Sequence, residues 1–264
     1  MIQSFINLRF EEFEKRLNEI ELLIQLAITN ESNSLIYQAL CRSAHVLLVS
    51  HFEGLYKDIC KDILSDINAN TIFSQVPKDI LYTHCSYFIN SHESEKSTHE
   101  IKIKLIDAFY LHPSKLKFEP FLNIDNRNPT PQIIESILER FGVSNFFWNI
   151  ENSDLDVVFK DLKTETIEIK NRLLFHLKEK TYSYPYLVDK SIYNPVLREN
   201  HRKTKTLWED FINSFLKERH NIIHGHTLNN PYNHEELGKA KLKIEILICV
   251  YILNICSVAN PINN

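Results

Sequence analysis

The chain has 264 residues, a net charge of −4 and only four glycines. That length can bury a large core in one domain or two small ones, and the near-neutral charge excludes a global basic field for nucleic acid. Scarce glycine together with long 3.6-residue periodicity implies an all-α protein. In chain order, Ile6, Phe10, Phe13, Leu17, Ile20, Ile24 and Ala27 alternate steps of four and three, predicting a first helix over about 5–29 with one narrow seam. Asn30 and Ser32-Asn33-Ser34 break it. A second helix follows over about 35–67, with Cys41, Leu48, Phe52, Leu55, Ile59 and Ile63 on its inward stripe, so the pair reads as an antiparallel hairpin. Residues 71–200 hold seven of the nine prolines and predict short helices and loops. Within them, Thr130-Pro131 marks a helix start, and a further helix is expected over about 155–180. Helices at about 205–224 and 235–258, separated by Asn229-Asn230-Pro231, complete a four-helix bundle on which 71–200 sits as a helical insertion.

The five cysteines form no C-x-x-C pair and fall mostly on apolar helix faces, which suits reduced thiols in a cytoplasmic protein. Met1 to Arg9 has no basic region followed by an apolar run, so no signal peptide is expected. The most apolar tract, Ile244 to Ala259, carries Glu245 and Asn254 and is too short for a membrane span; it reads as a buried bundle helix, and no membrane partner is expected.

Chemistry concentrates in Arg219-His220-Asn221-Ile222-Ile223-His224-Gly225-His226. At about 100° per residue, Leu207, Phe211, Ile222, Phe215, Trp208, Ile212, Ile223 and Leu216 fill an apolar arc, and Arg219 falls inside it. A guanidinium does not shed its proton, so on a buried face it needs an anionic partner or a seam that admits an anion. His220 and His224 lie one turn apart on the polar side, and Gly225 supplies a left-handed stop. Arg198, Arg202, Lys203 and Lys205, with His201, form a local basic run just before this helix, readable as a phosphate-binding patch or as a solvated helix start. Arg219 could also pair with a core carboxylate such as Glu53 while the histidines cap helix carbonyls. His220, His224 and His226 offer three imidazoles to a metal, but Asn221 follows His220 where the H-E-x-x-H pattern needs Glu; no metal or other cofactor is assigned.

Arginine, four residues, then histidine near the end of a late helix resembles the R-x4-H motif of the HEPN superfamily, small helical domains found in many prokaryotic toxin and anti-phage ribonucleases. Arg42-Ser43-Ala44-His45 through His51-Phe52-Glu53-Gly54 also resembles the second helix of one bacterial branch. The resemblance covers about 1–70 and 203–258. It implies a single HEPN-like domain over 1–264 and a metal-independent endoribonuclease in which a ribose 2′-hydroxyl attacks the adjacent phosphate. His224 would be the general acid/base and Arg219 the clamp on the phosphoryl oxygens. Asn221 and His220 would support the phosphate, Glu53 would orient Arg219, and Arg198, Arg202, Lys203, Lys205 and His226 would hold RNA. Side chains five positions apart diverge by about 140° on one helix, so a homodimer bringing two motifs to one cleft is expected, with an antitoxin or defence-system protein as a further partner. His45, inside the apolar stripe, reads as a hydrogen-bonded core histidine. Family toxins that extend the motif to R-x4-H-x-Tyr carry a modifiable tyrosine where this chain has His226, although Tyr232 is nearby. The rival reading is a non-catalytic helical module that binds a nucleotide or a partner protein.

Overall fold

The computed structural model describes residues 2–89, 95–112, 114–122, 128–195, 205–225 and 232–262. These are helical with no strand among the described residues. Helix α1 (Phe5–Thr29) and helix α2 (Ser34–Asn70) form the antiparallel hairpin, and all seven seam residues of α1 are at most 4 % exposed. Ser4 caps α1, accepting from Asn7 N at 3.0 Å and donating to Thr181 O at 2.6 Å. Asp66 of α2 holds the same helix start: its carboxylate accepts from Phe5 N at 2.8 Å, Ile6 N at 3.2 Å and the Tyr186 hydroxyl at 2.7 Å.

Helix α3 (Lys78–Ser86), α4 (Glu95–Leu111), α5 (Glu119–Leu122), α6 (Pro131–Arg140), α7 (Phe146–Glu151) and α8 (Lys163–Lys180) follow. Thr130 caps α6, with proline in its first turn, as its sequence predicts. The single helix expected over 155–180 is divided. A 3-10 turn spans Asp154–Phe159, and Asp161 then takes a left-handed φ of 56° that no helix continues through. Helix α9 (Leu207–Ile223) and α10 (His234–Val258) complete the chain.

Every residue from Ile244 to Cys256 is buried, because α10 packs on α1, α2 and α8 at once. Its polar members are satisfied: Glu245 pairs with Lys241 at 3.1 Å, and the Asn254 amide donates to Val250 O at 2.8 Å and to the Tyr193 hydroxyl at 3.0 Å. Residues 71–200 supply part of this core. Leu173 and Leu177 of α8 are fully buried beside α1 and α10, while α6 and α7 pack on α9. All five cysteines are buried and none is in a disulfide. No helix among the described residues is long and apolar enough to cross a membrane.

Candidate active site

Helix α9 starts in a capping box, Thr206 Oγ1 accepting from Glu209 N at 3.1 Å and Glu209 Oε2 accepting from Thr206 N at 2.6 Å. Leu207 N donates to Glu151 Oε2 at 2.5 Å, tying this end to α7. Trp208, Ile212, Phe215 and Leu216 are buried, whereas Leu207 and Ile223 of the same arc are 52 % and 46 % exposed. At the far end His224 is the C-cap, its N–H donating to His220 O at 3.1 Å, and Gly225 takes φ +68°.

Arg219 lies half-buried on the inward side. Its Nη1 donates to Asn128 Oδ1 over a long 3.4 Å, and its Nε is buried with no hydrogen-bond partner among the described residues. Glu53 does not serve as its counter-ion: the Glu53 carboxylate pairs with Lys57 at 3.0 Å, and no ion pair joins Arg219 to any carboxylate among the described residues. The reason is longitudinal. Phe215 of α9 sits against His45 of α2, and position 53 lies about 12 Å further along α2. His220 and His224 are exposed with ring centroids 4.2 Å apart, and half-buried Asn221 donates to Glu218 Oε2 at 3.2 Å. Lys205 is exposed just before the start of α9, with the length of the helix, about 25 Å, between it and His224. Arg198, Arg202, Lys203 and His226 lie outside the described residues.

His45 is a core residue, 1 % exposed, with Nε2 2.9 Å from Phe215 O and its ring stacked on Phe215 at 4.3 Å. Burial pulls its pKa down to about 4. Among the described residues no group of three or more histidine, cysteine, aspartate or glutamate side chains is arranged to hold a metal ion. A cavity of about 620 Å³ beside α8 and one of about 570 Å³ among α1, α8 and α10 include none of the motif residues. Asn128 is the residue that pattern reading missed. It stands just before the Thr130 cap in a proline-rich stretch and carries no periodic signal of a contact with Arg219.

An all-helical chain with arginine and histidine five positions apart at the end of its penultimate helix has the features of a HEPN domain. The family described as RiboL-PSP-HEPN matches residues 11–256, nearly the whole chain, and the protein belongs to that family and so to the HEPN superfamily. The matched span runs through residues 71–200 as well as the two terminal segments that carry the resemblance. No curated protein and no solved structure matches the chain.

Proposed function

We propose that this protein is a metal-independent endoribonuclease that works as a homodimer. The observation that carries the reading is Arg219: a permanent cation set into an apolar helix face, with no carboxylate partner and no partner for its buried Nε among the described residues, followed by two exposed imidazoles one and five positions on. Such a cation suits an incoming phosphate. In the reaction, His224 takes the proton of a ribose 2′-hydroxyl, whose oxygen attacks phosphorus. The bond from phosphorus to the 5′ oxygen breaks and that oxygen leaves with a proton, giving a 2′,3′-cyclic phosphate and a 5′-hydroxyl. Arg219 neutralises the charge that grows on the phosphoryl oxygens.

One protomer makes a poor site, because Arg219 points inward and His224 outward. Two α9 helices meeting with opposite sense at their C-terminal ends would bring both motifs to one cleft and cover the half-exposed Ile223. A cytoplasmic location fits five buried cysteines outside any disulfide. A role as a toxin or in anti-phage defence, with an antitoxin or defence protein as partner, rests on the superfamily alone.

The test is RNA cleavage by purified protein in EDTA beside Arg219→Ala and His224→Ala. Each variant should stay folded and lose about 10²- to 10³-fold in rate, 2′-O-methylated RNA should remain uncut, and products should carry cyclic or 3′-phosphate ends. Cleavage that needs added divalent ion, or full activity in both variants, would overturn the proposal. Inactivity of the wild type toward every RNA offered would favour the non-catalytic module instead.

A further inference from the structure

Phe215 O, the carbonyl that His45 touches, has a second duty. In an α-helix each carbonyl accepts from the amide four residues on, so Phe215 O receives the N–H of Arg219. A carbonyl has two lone pairs and can hold both donors. Because a carbonyl only accepts, His45 must carry its proton on Nε2, which leaves Nδ1 bare; that atom is buried with no hydrogen-bond partner among the described residues. The ring is gripped on two sides, stacked on Phe215 and met edge-on at 4.9 Å by Tyr232, which also meets Phe215 edge-on at 5.5 Å. The groups that face His45 electrostatically are Glu218 and Arg219, on the same turn of α9. The His45 bond thus holds the turn of α9 that leads into Arg219, His220 and His224.

We propose that His45 is a positioning residue for the candidate site: its Nε2–H, donated to Phe215 O, fixes the turn of α9 from which Arg219 and His224 project. The catalytic consequence rests on the ribonuclease reading; the structural one does not. His45→Gln keeps an amide donor within reach of Phe215 O, whereas His45→Leu keeps bulk and removes the donor.

Hydrogen exchange of the amides of residues 219–224, measured alongside RNA cleavage, tests this. His45→Leu should exchange about tenfold faster in that turn with α1 unchanged, the equivalent of one lost hydrogen bond, and should cut kcat by about tenfold with KM held. His45→Gln should restore both. A nuclear magnetic resonance titration adds a signature that packing alone would not move. Arg219→Ala should raise the His45 pKa by removing a facing cation, and Glu218→Gln should lower it. Wild-type exchange in folded His45→Leu, or damage in His45→Gln equal to that in His45→Leu, would overturn the proposal. If His45→Leu does not fold, the glutamine variant and the titration decide. A wild type that cleaves no RNA would sink the ribonuclease reading, while the exchange and titration results would still decide the role of His45.

Discussion

Mild acid should destabilise this protein through two buried histidines that lie far apart in sequence. His45 is 1 % exposed and His84 fully buried, and burial holds both near a pKa of about 4 against an ordinary 6.5. Each has a reason in its hydrogen bonds. A proton added to His45 Nδ1 finds no described acceptor. One added to His84 Nδ1 would face the Lys117 N–H that the atom now accepts at 3.1 Å. Between pH 6.5 and 4 the unfolded chain therefore holds more protons than the folded one, so the stabilising contribution is complete above about 6.5 and lost as pH falls toward 4. At pH 5 the loss is about 2 kcal/mol per histidine, and about 3 kcal/mol each at pH 4. Asp62, Asp66 and Glu135 act in the opposite sense, since burial raises their pKa values and acid then favours the folded state. A differential measurement cancels them. Urea unfolding at pH 7 and pH 5 should show the wild type losing about 2 kcal/mol more than His84→Gln, and about 2 kcal/mol more than His45→Gln. Identical pH dependence in wild type and both variants would refute the reasoning, whatever the variants do to stability at pH 7.

Two further outcomes concern the helix ends. Asp66→Ala should cost about 3 kcal/mol in urea unfolding at pH 7, because it strands the Phe5 and Ile6 amides and the buried Tyr186 hydroxyl together; a loss below about 1 kcal/mol would show that water or Ser4 replaces the carboxylate. Gly225→Ala should lower stability by about 1 kcal/mol through backbone strain at φ +68° alone, since an added Cβ there meets nothing within 4 Å; a thermal melt indistinguishable from wild type would mean that the turn relaxes out of the left-handed region.

Helices α1, α2, α9 and α10 were legible because their signals are local: a three-four alternation, an apolar stripe or arc, a polar break, a glycine able to turn left-handed. The break before α8 was not, because Asp161 adopts its positive φ in a stretch whose hydrophobic spacing on either side is helical. The share of the core supplied by Leu173 and Leu177 was hidden for a different reason. Proline density tells where helices stop but not which of them pack back on α10.

The candidate site divides along the same line. The inward position of Arg219 follows from helix phase, and the exposure of His220 and His224 from the opposite phase, so both could be read one helix at a time. Which groups surround that cation depends instead on how far along α2 the end of α9 lands. Phe215 meets His45, which leaves Glu53 beyond reach and engaged with Lys57, and brings Asn128 in from the proline-rich segment. Glu53 beside Arg219 would have satisfied the guanidinium internally and, under the proposed ribonuclease reading, competed with phosphate. An asparagine oxygen 3.4 Å away is neutral and weakly held, so it can orient the cation and still yield to an anion of higher charge. The offset between α2 and α9 thus keeps Glu53 away from Arg219, and that offset is written in the packing of His45 against Phe215 rather than in the motif itself.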